Sequence, residues 1–347
     1  MLPPGYTELL RYDGAVVDRD ERGLLVPCAV QPRDVEVIRD VWRYKFLTAT
    51  QLLDLHWPGG TGQVGRRRLA KLFHAGLLER FRPVTRTGGS FPWTYHLGEQ
   101  GHRLLREIGL LEARARYDRR TIYDYRYVLH EVHLNAWLLA WRELLGPALV
   151  EWQGEVEIEP PTELRRSEMR LDDDRSVEAL REPRARLVRP DAVLDIARRT
   201  EDGQRTFLIE YDRTRRVDKN FAKFLRYDAF LCWWWRHTQL AYQGDAPWVV
   251  FVCQDDQQRA TFLQVADREL TGHLWHASDG AYGHEYVGRE QIVFATEVDM
   301  HRGEAVAWRV PHFPRGHPGR ASDGAVRGVR LPGGRAKGER CESAQAA

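Results

Sequence analysis

Glycine and proline punctuation between residues 31 and 106 leaves this part of the chain few folds. Pro58-Gly59-Gly60 breaks it once, and Gly76 offers a helix stop soon after. Before the break, PRDVEVIRDVWRYKFL places Val35, Ile38, Val41 and Trp42 at helical spacing, with Pro32 in the first turn. Thr48 or Thr50 can then cap a short helix through QLLDLHW. Between the break and Gly76, TGQVGRRRLAKLFHAG carries an apolar stripe of Leu69, Leu72 and Phe73. LLERFRPV and WTYHLGEQGHRLLRE follow, separated by the Gly-rich TRTGGSFP. They read as two strands about a turn, the second running into a helix.

Three helices and a hairpin, with the phrases Ala75-Gly76-Leu77-Leu78-Glu79-Arg80 and Tyr95-His96-Leu97-Gly98…Gly101-His102, resemble the winged-helix DNA-binding domains. Charge within residues 61–86 fits that resemblance. Arg66, Arg67, Arg68, Lys71, Arg80, Arg82 and Arg86 face the single acid Glu79, a surplus of six positive charges. A helix in the major groove needs cations on its outer face, and a wing needs them near phosphates. These seven residues are the expected contacts to double-stranded DNA. A merely solvated basic helix face is the plain alternative, and a winged helix that docks protein is another.

The whole chain of 347 residues carries only +2, which argues against nucleic acid until the distribution is read. Residues 151–174 hold nine acids against three bases, and residues 312–347 hold seven bases against three acids. The acidic stretch reads as an insert over 151–186. The Gly-rich tail, 312–347, reads as disordered and either touches phosphates or is inert. A hydrophobic content of 43% and an aromatic content of 11% exclude a mainly disordered chain, and the length suggests two domains. No apolar run approaches the length of a transmembrane helix, and the start lacks a secretory signal pattern. Cys28, Cys232, Cys253 and Cys341 form no CxxC pair, so a disulfide framework or zinc ribbon is not expected, and a cytoplasmic setting is. Phosphate-loop and nucleophile-elbow motifs are missing. His130-Glu131-Val132-His133 is one residue short of a zinc-protease signature, and Trp233-Trp234-Trp235 reads as core.

From about residue 120 a long helix, YRYVLHEVHLNAWLLAWRELLG, precedes PALVEWQGEVEIE. LVRPDAVLDIARR and RTFLIEYD then form a hairpin about Thr200-Glu201-Asp202-Gly203, followed by a helix, the strand PWVVFVCQ, a helix and the strand REQIVFATEV. This order predicts a mixed sheet flanked by helices. It puts Asp191 at the start of one strand, with Glu210 and Asp212 on one face at the end of its partner. Three converging carboxylates beside a helix bearing Lys219 and Lys223 would suit Mg²⁺ or Mn²⁺, which activates water at a phosphodiester. Strand-end acids paired with nearby arginines are the structural alternative.

At Pro190-Asp191 and Glu210 the chain resembles the PD-(D/E)XK nuclease superfamily. It departs where that pattern calls for lysine and this chain has Asp212. The resemblance implies Asp191, Glu210 and Asp212 as metal ligands, Glu131 as an additional one, and Lys219 or Lys223 in the place of the missing lysine. A closer resemblance is to the replication-relaxation family of plasmid and mobile-element proteins. It rests on Arg189-Pro190-Asp191-Ala192, Glu210-Tyr211-Asp212-Arg213 and the helix phrase from His130 to Asn135. The implied fold class is α+β: an N-terminal winged helix-turn-helix, then a PD-(D/E)XK-like mixed sheet flanked by helices. The expected divisions are an extension over 1–30, the winged helix over 31–110, the nuclease-like domain over 120–300 and the tail over 312–347. Two functions follow as expectations. One is a DNA-binding protein of plasmid replication or relaxation that also acts as a metal-dependent endonuclease or nickase. The other is an inactive, nuclease-like accessory or transcriptional regulator that recruits a relaxase or replication initiator.

Overall fold

The computed structural model describes residues 26–82, 91–112, 114–117, 125–155, 157, 188–197, 204–212, 217–235, 245–276, 282–320 and 326–333. The chain is α+β, helical at its N-terminal side and then built on a large mixed sheet flanked by helices. It divides into two compact units, Met1–Ala136 and Trp137–Ala347.

In the first unit α1 (Pro32–Tyr44), α2 (Ala49–His56) and α3 (Gln63–His74) precede a small antiparallel sheet of order β1-β3-β2, formed by Leu47–Thr48, Thr94–Leu97 and Leu78–Phe81. Thr48 caps α2, as expected, with Gln51 returning the bond in a capping box. Gly65 lets α3 lie against α2, because a Cβ there would fall 2.3 Å from Leu53. Gly76 ends α3 in the left-handed region, φ 73°, a conformation that glycine adopts freely. α4 (Glu99–Glu107) follows β3. Phe46, Phe81, Phe91, Val128, Leu129 and Val132 form a buried cluster, the last three on the early part of α5 (Tyr125–Leu145).

The second unit holds a seven-stranded sheet of order β12-β11-β10-β7-β6-β5-β4. β5 (Ala192–Ala197) pairs antiparallel with both β4 (Leu149–Gly154) and β6 (Gln204–Tyr211). β7 (Trp248–Cys253) and β10 (Ile292–Thr296) run parallel to β6. α6 (Val217–Ala229) passes into a π-helical turn, Phe230–Trp234, and α7 (Asp256–Glu269) follows β7. The hairpin of β8 (His273–His276) and β9 (Tyr282–Glu285) and the short helices α8 (Val287–Gln291) and α9 (Glu297–His301) complete the central part. Phe224, Phe251, Phe262 and Phe294 stack edge and face between α6, α7 and the sheet.

Three expectations change. Residues 151–154 belong to edge strand β4 rather than to an insert, and residues 158–187 lie outside the described residues. The compact unit does not close at residue 300, since β11 (Val306–Arg309) adds to it. The tail is not disordered from residue 312. β12 (Arg327–Arg330) pairs with β11, and Leu331 is buried. Ion pairs hold this segment where apolar residues are few: Arg315 and Arg320 bind Asp267, which also meets the fully buried Arg289. Residues 334–347 lie outside the described residues. Among the described residues no helix is long and apolar enough to cross a membrane.

Candidate functional site

On the first unit six of the seven basic residues are described, and they take three different roles. Arg66, Arg67 and Lys71 are exposed on α3, beside the exposed Val64. Spacing explains this: Leu69, Leu72 and Phe73 take the buried stripe, which turns positions 66, 67 and 71 outward. Arg68 has a different task. It donates to Ala29 O at 2.7 Å and, through Nε, to Asp34 Oδ1 at 2.8 Å. Asp34 is fully buried on α1, so Arg68 supplies its counter-charge, and the pair holds the arginine above its ordinary pKa. Arg80 lies between the rings of Phe73, at 4.3 Å, and Trp93, at 4.4 Å. Arg82 sits over the same Trp93 and donates to Phe91 O at 2.9 Å. Arg86 lies outside the described residues. Glu131 also lies in this unit, where Lys45 Nζ donates to it at 2.8 Å with both side chains buried. Lys45 takes a positive φ, 61°, in the tight turn after α1 that Phe46 N closes on Tyr44 O at 2.7 Å.

In the second unit the pairing of β5 with β6 brings Asp191 to the end of β6. Asp191 N donates to Ile209 O, and Asp191 Oδ2 accepts from Tyr211 N, both at 2.8 Å. Glu210 is 2% exposed near the end of β6. Lys223 of α6 donates to its Oε2, and Tyr227 donates to its Oε1 at 2.6 Å. Lys223 and Tyr227 are four residues apart, so one face of α6 serves both oxygens. Asp212 is half-buried just past the strand, and its peptide bonds β7 at Val252 O. Lys219 lies on α6, but its side chain is outside the described residues.

Burial disfavours the charged form of Glu210, and Asp191 adds like-charge repulsion. Lys223 and Tyr227 only partly offset them, and the carboxyl is raised to about 7. For Lys223 burial works downward, but Glu210, Asp191 and Asp212 outweigh it and hold the ammonium above its ordinary range. Tyr227 is pushed well up by burial and then by Glu210. The Lys223 ammonium therefore feels all three acids, Glu210 most strongly.

Among the described residues these three carboxylates do not bring ligand atoms within 4.8 Å of one another. The set that does is Asp228, Cys232 and His273. Tyr227 went unread in the sequence, although its spacing from Lys223 marked it.

The raised Glu210 predicts a pH dependence. The folded state binds this proton more tightly than the unfolded chain, so the stability contribution falls as pH rises from about 4.5 to about 7. Urea denaturation at about pH 5 and about pH 8 checks this. Glu210→Gln flattens that part of the pH dependence. An unchanged slope in the variant would assign the dependence to other groups.

No curated protein and no solved structure matches the sequence. The family model described as replication-relaxation matches residues 38–247, which include α3, β5, β6 and α6. With that match extending over more than half of its length, the chain belongs to the replication-relaxation family.

Proposed function

We propose that this chain is a duplex-DNA-binding protein serving replication or relaxation of a plasmid or mobile element. Its first unit is read as a winged helix-turn-helix, with α3 as the recognition helix. The observation that carries the reading is the exposed set Arg66, Arg67 and Lys71 on α3, after a helix that packs close through Gly65. Arg80 and Arg82, stacked on Trp93 at the base of the hairpin, would contribute phosphate contacts beside it. The test is a duplex titration of the full chain over a range of salt. Binding that weakens steeply with salt supports the reading, and absent or salt-insensitive binding overturns it.

A second reading, metal-dependent nicking, is favoured by Lys223 reaching Glu210 from α6. The lysine missing after Glu210 in the PD-(D/E)XK pattern is then supplied from the helix. To hold Mg²⁺ or Mn²⁺, Asp191, Glu210 and Asp212 would have to draw closer than they stand, since their ligand atoms do not all lie within 4.8 Å of one another. The ion would lower the pKa of a bound water and offset phosphate charge. Lys223 would orient Glu210 and face the phosphate, with Lys219 as its neighbour on the same helix. Supercoiled plasmid incubated with either metal tests it. If the wild-type chain leaves the plasmid intact, the domain is an accessory that recruits a partner such as a relaxase or replication initiator.

A further inference from the structure

The end of α6 carries a second cluster of polar groups. Asp228 is 2% exposed, and its Oδ2 lies 2.8 Å from His273 Nε2 at the start of β8. Its Oδ1 is buried and has no hydrogen-bond partner. That oxygen is packed against Gly288, where any Cβ would fall 2.0 Å from it. Cys232, 4% exposed, follows in the π-helical turn that ends the helix. Such turns often mark functional positions in a helix. Ligand atoms of Asp228, Cys232 and His273 lie within 4.8 Å of one another. Trp233 packs edge-on against the His273 ring at 4.4 Å and fixes its plane.

A buried carboxylate with one oxygen unsatisfied is costly unless positive charge compensates it. The nearby cation Arg289 is committed elsewhere, to Asp267 and to the carbonyls of Leu270 and Pro311. A divalent ion would compensate Asp228 directly. Thiolate and imidazole beside one carboxylate select zinc over magnesium or manganese. In a tetrahedral zinc shell neighbouring ligand atoms are about 3.3–3.8 Å apart, so the observed spacing needs only small side-chain adjustment. Of the three, Cys232 also lines a cavity of about 520 Å³, with Trp235, Tyr286 and Phe313.

We propose that Asp228, Cys232 and His273 form a zinc site that ties the end of α6 to the β8–β9 hairpin. Binding releases the Cys232 thiol proton to solvent and leaves the imidazole proton on Nδ1, freeing Nε2 for the metal. The site is distinct from Asp191, Glu210 and Asp212, and it does not depend on DNA binding.

The test uses the full chain, stripped with chelator and reloaded with zinc or cobalt. About one zinc per chain is expected after desalting, and the cobalt form is expected to show thiolate-to-metal charge-transfer absorption. Cys232→Ser and His273→Gln lose both signals. A Cys28→Ser, Cys341→Ser double variant keeps them. No retained zinc, a cobalt spectrum without the thiolate band, or a band that survives Cys232→Ser overturns the proposal. If the site variants fail to fold, the wild-type cobalt spectrum and the Cys28, Cys341 double variant decide it. The band present in both supports the site, and its absence from either overturns it.

Discussion

Replacing Arg66, Arg67 and Lys71 together with alanine is expected to weaken duplex binding by about two orders of magnitude at physiological salt, and to reduce the steepness of log K against log salt by about 2.7. The magnitude follows from counterion release, at about 0.9 ion per phosphate contact on duplex DNA. All three side chains are exposed, and alanine is a strong helix former, so α3 itself survives the change. Arg68 is excluded from the set for a physical reason. It compensates the buried Asp34, and removing it would leave that carboxylate uncompensated and confuse a binding defect with unfolding. Circular dichroism of the triple variant should match that of the wild-type chain. Unchanged affinity and slope would place DNA contact on another surface.

The second large effect concerns the acidic site. On the nicking reading, Asp191→Ala with Glu210→Ala is expected to reduce plasmid nicking in Mg²⁺ or Mn²⁺ by at least about 100-fold, to background. Lys223→Ala should do the same. Duplex affinity at α3 should stay unchanged in both, which separates lost chemistry from lost binding. Metal enters this site against resistance, because Glu210 takes up a proton near neutrality and both of its oxygens already accept hydrogen bonds. Activity should therefore rise with pH through about 7, as the carboxylate becomes available to the ion. Equal nicking by wild type and the double variant would place any cleavage elsewhere.

The helices and hairpin of the first unit were legible because local signals agree there. Thr48 caps, Gly76 stops, and the stripe Leu69-Leu72-Phe73 sets which way α3 faces. The position of Asp191 beside the end of β6 was legible too, since a hairpin of two apolar runs allows little else. What stayed hidden depends on long-range partners. Nothing near Arg68 in the sequence shows that Asp34 claims it, and nothing near Glu131 shows that Lys45 does. The strand Arg327–Arg330 was missed because the segment leading to it is held by ion pairs. Composition reports apolar content, and it cannot report that Arg315 and Arg320 meet on Asp267. His273 is far from Cys232 in sequence, so the π-turn cluster has no spacing motif at all.

The central claim, that α3 faces duplex DNA, is tested most directly by photocrosslinking from the full chain. A benzoylphenylalanine at position 64 replaces Val64, which is 70% exposed on α3, and leaves every cation in place. A second variant carries it at position 108, in place of the 46% exposed Ile108 that follows α4. The expected result is a crosslink to duplex DNA from position 64, lost at high salt, and none from position 108. A chain that binds duplex but crosslinks from position 108 and not from position 64 would contradict the account.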